Sequence, residues 1–182
     1  MAGGDYLAGL GKLVAEMADR EGIVFMRTTR AATPAVYGAD EDFPIGGSRV
    51  LRQGDDVAIV AAGITLHESL KAADQLAAEG IDARVIDLYS VKPVDAATLR
   101  AAAEATGGRI VTVEDHWPEG GIGDAVLEAL SDGETPARAV RLAVREMPGS
   151  GKPAELLAAA GIDADHIADA ARSLVEATVS TR

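Results

Sequence analysis

The sequence predicts an α/β fold, a three-layer α/β/α arrangement around a mostly parallel sheet. Three observations carry this. Short apolar runs of strand length recur at 57–61, 85–88, 110–113 and 140–144. The stretches between them carry apolar residues at helical spacing, as in Leu66, Leu70, Ala73 and Leu76. Glycines mark the changes, at Gly80, Gly107-Gly108 and Gly120-Gly121. Strand alternating with helix implies parallel strands joined by right-handed crossovers.

Taken in order, Leu7, Leu10, Val14 and Met17 line one face of a helix over 7–18, and Gly22 interrupts it. Ile23-Val24-Phe25-Met26 reads as a short strand of the buried type. Residues 31–46, with two prolines and the acids Asp40-Glu41-Asp42, read as an exposed linker. Ser48 to Leu51 is a short strand, followed by the turn Gln53-Gly54-Asp55-Asp56 and the strand Val57 to Ala61. Thr65-Leu66-His67-Glu68 has the form of a capping box at a helix start. Asp95 is the expected N-cap of the next helix, with Val94 and Leu99 as its hydrophobic staple. Two helices, near 153–160 and 163–178, close the chain, with Pro153 as a first helical residue.

Residues 47–182 therefore read as one compact α/β domain. Residues 1–30 do not fit it: one helix and one strand cannot make a domain, because a lone strand leaves its ladder unpaired. They are expected to be the tail of an earlier domain.

Composition narrows the function classes. At 182 residues the chain can bury a core without disulfides, and it contains no cysteine. A net charge of −12 opposes binding to nucleic acid or to an anionic membrane surface. Aromatic residues make up only 3%, too few for a base-stacking platform. There is no signal-peptide pattern at Met1-Ala2-Gly3-Gly4 and no membrane-length apolar run, so a cytoplasmic location is expected.

The densest polar stretch is Glu114-Asp115-His116-Trp117-Pro118-Glu119-Gly120-Gly121-Ile122-Gly123, between a strand end and a helix start. In open α/β sheets that edge is where ligands sit. Asp115, His116, Gly121 and Gly123 are therefore candidates for an interface or strand-end site, together with His67 on the first turn of an earlier helix. The acids at 114, 115 and 119 would repel a phosphate, and the glycines lack dinucleotide-loop spacing. The preferred reading is a tight turn passing close to a neighbour, fixed by Asp115 and His116. His67, His116 and His166 are not at metal-ligand spacing, so no metal site is expected from this chain alone. No nucleophile elbow, Walker loop or opposed carboxylate pair is present, so no catalytic residue is assigned. Arg27 and Arg30, at the end of the apolar run 23–26, suit either a grip on phosphate or carboxylate or a plain surface ion pair.

Several strings together resemble transketolase. They are Phe25-Met26-Arg27-Thr28-Thr29-Arg30, Gly63-Ile64-Thr65-Leu66-His67-Glu68, Val85 to Asp95, Thr112 to Gly123, and Ser150-Gly151-Lys152-Pro153-Ala154-Glu155-Leu156-Leu157 with Gly161-Ile162-Asp163. Their order and spacing match the end of a transketolase chain, from about residue 21 to 174. The resemblance implies that 47–182 is that family's carboxyl-terminal domain and that 1–30 ends its pyrimidine-binding domain. The family transfers two-carbon ketol units between sugar phosphates in the pentose phosphate pathway, with thiamine diphosphate and magnesium at a dimer interface. Its cofactor and metal motifs, its activating glutamate and its active-site histidines lie upstream of the matched region. Neither cofactor is therefore expected to bind this segment alone, and the expected partners are the remaining transketolase domains or subunit, in a homodimer. One residue carries over by alignment: Arg30, as a ligand of the sugar phosphate, with Thr29 where the family has serine. Two rival readings stay open. One is a stand-alone regulatory or binding module using the edge near Gly63 and His116. The other is the corresponding domain of a 2-oxoacid dehydrogenase β subunit, which shares the domain but not the Ser150–Leu156 and Val113–His116 strings.

Overall fold

A computed structural model describes residues 4–29, 33–38 and 40–179. After helix α1 (Gly4–Ala18) come strands β1 (Arg49–Arg52) and β2 (Val57–Ala61), helix α2 (Ile64–Ala78), strand β3 (Ala83–Asp87) and helix α3 (Ala96–Ala105). Strand β4 (Arg109–Glu114), helix α4 (Ile122–Ser131), strand β5 (Arg138–Ala143) and helices α5 (Pro153–Ala159) and α6 (Ala164–Val179) complete the chain. The sheet order is β1-β3-β2-β4-β5. Strands β2 to β5 run parallel, and β1 joins the β3 edge antiparallel. The expected layered α/β fold is the observed one.

Strand β2 explains the layering. All five of its residues are buried, so it must be covered on both faces. Val57, Ile59 and Ala61 pack with Leu76 of α2 and with Ile167 and Leu174 of α6. Ala58 and Val60, on the opposite face, pack with Leu99 of α3 and Val126 of α4. The chain thus leaves β2 toward one face and β4 toward the other. This makes the carboxyl ends of β2 and β4 the topological switch point of the sheet, where ligands enter open α/β folds.

The local expectations met the structure unevenly. Asp95 caps α3 by accepting from the Thr98 amide at 3.1 Å, and Pro153 opens α5. The capping box at Thr65 is not formed. Gly63, at φ 62°, starts α2 earlier, which puts Thr65 inside the helix. Glu68 instead reaches across to accept the amide of Ala164 at 3.1 Å, so it caps α6 and not its own helix.

The expected strand at Ile23–Met26 is also absent. The segment is irregular, and Ile23 and Phe25 are 102% and 87% exposed. No strand among the described residues pairs with it.

The linker is only partly exposed. Phe43 is buried, edge-on between Tyr37 and Tyr89 at 4.8 and 5.4 Å. The Tyr37 hydroxyl donates to the Asp87 carboxylate at the end of β3. Two of the few aromatic residues lie in this segment, and burying them outweighs the turn-forming prolines and the acids around them.

Burial pushes the Asp87 carboxyl up to about 6, with the Tyr37 hydrogen bond pulling the other way. Its second oxygen, Oδ1, has no partner among the described residues. A carboxyl whose folded value exceeds its unfolded one stabilises the fold while protonated and loses that contribution as pH rises between the two values. The stability of the natural chain relative to Asp87→Asn should therefore fall by about 2 kcal/mol from pH 4 to pH 7. Urea unfolding of both proteins across that range measures it, and a flat difference would contradict the account.

Candidate functional site

The carboxyl ends of β2 and β4 carry the Ala62-Gly63 turn and the loop 115–121, which lead into α2 and α4. The Thr65 hydroxyl lies 2.9 Å from the Ala62 carbonyl and 3.0 Å from the Val113 carbonyl, sharing one proton between them. This stitches the start of α2 to the end of β4.

Glu114, only 3% exposed, turns back on its own loop. Its Oε2 accepts from the Ile122 amide at 2.6 Å and its Oε1 from the Gly123 amide at 3.1 Å. These are free donors of the first turn of α4, where negative charge is favoured. Burial raises the carboxyl above its ordinary value, against the pull of the Gly123 and Ile122 amides and of the nearby His116 and Arg141 charges.

Two glycines make room. A Cβ on Gly121 would stand 1.8 Å from Glu114 Oε2, and one on Gly123 would stand 2.3 Å from Arg141 Nε. Arg141, on β5, donates to the Pro118 carbonyl and pairs with Asp124 at 2.8 Å. Gly121 and Gly123 thus serve close packing, but the carboxylate that fixes the turn is Glu114, not Asp115 as expected, because the Glu114 side chain is the one directed at the free α4 amides.

Asp115 points outward to Arg27. Arg27 Nη1 donates to Oδ1 at 3.1 Å, and Nη2 donates to Oδ2 at 2.8 Å and to the Asp115 carbonyl at 3.0 Å. Thr29 follows onto the same edge: its methyl lies 3.7 Å from the position a Cβ would take on Gly63. The segment 27–29 therefore spans the switch point from the β4 loop to the β2 turn. Arg30, the sequence-derived phosphate ligand, lies outside the described residues.

His116 is exposed, and its ring Nδ1 is 2.7 Å from the Trp117 carbonyl, while its own carbonyl accepts from the Val144 amide at 2.9 Å. His67 is half-buried on α2, and burial, then the Lys71 charge, lowers its basicity. No hydrogen bond joins His67 to His116 or Asp115 among the described residues. His166 pairs with Asp163 at 2.5 Å on the first turn of α6.

Among the described residues no group of three or more His, Asp or Glu side chains is placed to hold a metal ion. Both strand-end acids are committed, Glu114 to two amides and Asp115 to Arg27. The edge as built does not fit magnesium or a diphosphate by itself. No helix among the described residues is long and apolar enough to cross a membrane.

Residues 46–167 match the family model described as transketolase, C-terminal domain. The chain belongs to the transketolase carboxyl-terminal domain family. It is 52% identical over 161 residues to the mouse transketolase-like protein 2, a match covering 87% of this chain and 25% of that protein. Human transketolase is 46% identical over 166 residues, covering 90% of this chain and 26% of the enzyme. The chain thus spans about a quarter of the length of these transketolase relatives. A solved structure described as a split-gene transketolase, inactive β4 tetramer, superposes with a TM-score of 0.83 at 39% identity. That match covers 91% of this chain and 53% of the other. A transketolase from Pichia stipitis, at 22% identity and TM-score 0.54, shares the fold.

Asp115, His116, Gly121 and Gly123 lie at the strand-end edge where sequence reasoning put them. That reasoning missed that Arg27 faces Asp115 and that Glu114 plugs the helix start. It also gave no hint of Arg141 beneath Gly123, since that contact depends on the pairing of β4 with β5.

Proposed function

We propose that this chain supplies the carboxyl-terminal domain of a transketolase, which moves a two-carbon ketol unit from a ketose phosphate to an aldose phosphate in the pentose phosphate pathway. In this reading residues 47–182 are that domain, 31–46 connect it, and 1–30 complete the pyrimidine-binding domain, with Arg30 as a ligand of the sugar phosphate. Thiamine diphosphate and magnesium are held by the remaining domains, in the same protein or in a partner subunit, and the complete enzyme is a cytoplasmic homodimer. Thiamine diphosphate supplies the chemistry that breaks and remakes the carbon–carbon bond. This chain contributes support, subunit contact and the arginine string.

The observation that carries the reading is the seating of 27–29 across the switch point, where the string with the family's phosphate ligand rests on the carboxyl-terminal domain. The exposed Ile23 and Phe25 support it, as apolar residues that would gain burial against the rest of a pyrimidine-binding domain. The split-gene neighbour, covering 91% of this chain, supports association with a second subunit.

Mixing the chain with a polypeptide carrying the pyrophosphate- and pyrimidine-binding domains tests the proposal. With thiamine diphosphate, magnesium, a ketose phosphate and an aldose phosphate, ketol transfer should need both polypeptides. Transfer by this chain alone, or 2-oxoacid decarboxylation in place of transfer, would overturn it.

A further inference from the structure

We infer that Asp115 is a positioning residue for the sugar-phosphate site, fixing residues 27–29, the start of the arginine string, over the crevice between β2 and β4. The inference rests on the transketolase reading for its substrate and on geometry for its device. The switch point of an open α/β sheet ordinarily receives a ligand. Here the chain's own residues 27–29 lie across it. Arg27 meets Asp115 through both guanidinium nitrogens and a carboxylate oxygen each, a fork that fixes direction as well as distance.

No other hydrogen bond ties residues 21–29 to the sheet domain among the described residues, so this pair sets the register of the segment. Asp115 itself is held from both sides. Glu114 before it is anchored to the α4 amides, and the His116 carbonyl after it accepts from Val144 at 2.9 Å. A firmly held acid thus grips a loosely held arginine string.

The pair is half open to water, with Arg27 and Asp115 side chains 50% and 29% exposed. Exposed pairs add little to global stability. Their removal should therefore free the string without unfolding the domain, which separates positioning from a merely structural role.

Two experiments decide it. In this chain, tryptic cleavage after Arg27, which needs its side chain released, should quicken about tenfold in Asp115→Asn, with the denaturation midpoint unchanged. Arg27→Lys, which loses the fork, should behave alike, and Asp115→Glu should restore at least half of the protection. In the reconstituted enzyme, Asp115→Asn should raise KM for a phosphorylated ketose about tenfold while kcat falls less than threefold. With an unphosphorylated ketose the rise in KM should be at least fivefold smaller. Unchanged cleavage overturns the hold on Arg27. Equal KM effects on both ketoses overturn the link to phosphate. An inactive natural complex sinks the transketolase reading, and the sugar-phosphate part of this inference with it, while cleavage after Arg27 still judges the hold.

Discussion

Replacing Glu114 with alanine is expected to destabilise the domain by about 2–4 kcal/mol, and to loosen the loop that presents Asp115. Among the described residues the carboxylate is the sole acceptor for the Ile122 and Gly123 amides, at 2.6 and 3.1 Å. Each buried donor left without a partner costs about 1–3 kcal/mol. Relief of the buried charge offsets part of that sum, since burial already works against the ionised form. Glu114→Gln keeps the shape but turns an NH₂ group toward one of the two amides, so it should lose at least half as much. Urea unfolding at pH 7 measures both variants. A loss below about 1 kcal/mol for the alanine variant would show that the clamp is dispensable. Tryptic cleavage after Arg27 should also quicken in Glu114→Ala, because Asp115 is the next residue along the chain.

Gly108→Ala should cost about 3–5 kcal/mol and lower the melting temperature by roughly 10 °C. Gly108 sits at φ 79°, in the left-handed region that side chains disfavour. A Cβ there would also stand 2.1 Å from the Pro136 carbonyl oxygen, which is backbone and cannot swing aside. The neighbouring amide of Arg138 donates to the Gly108 carbonyl at 2.8 Å, so any retreat pulls on the start of β5. Gly107 provides the control. It shares a positive φ, 59°, but a Cβ there would meet only the flexible end of Arg109, at 3.3 Å. Gly107→Ala should therefore cost about 1 kcal/mol. If the two substitutions unfold alike in urea, backbone contact at Pro136 is not the cause.

Where the sequence was read correctly, the decisive forces are local. Strand β2 was expected at Val57–Ala61 and lies there, because an uninterrupted apolar run of that length has no way to be half wet. Asp95 was legible as a cap because its acceptor reaches only three residues along the chain. The misreadings share a different cause. Thr65 and Glu68 have capping-box spacing, but the Thr65 hydroxyl finds Val113 and the Glu68 carboxylate finds Ala164, partners 48 and 96 residues away. Ile23–Met26 has strand composition but no partner strand among the described residues, and composition cannot supply a ladder. The linker carries turn residues, yet Tyr37 and Phe43 draw it onto Tyr89 and Asp87.

The same division runs through the strand-end site. By itself the sequence determined the α/β layering, the strand-end position of 114–123 and the transketolase resemblance, because periodicity, turn chemistry and ordered strings are written along the chain. The tertiary structure alone decided which acid does what. Adjacent residues at the end of a strand point to opposite sides. Folding therefore sent Glu114 inward to the α4 amides and Asp115 outward to Arg27, 88 residues away. Only the sheet order could show that this outward side is the switch point, because it depends on which strands are neighbours and on which face each helix returns.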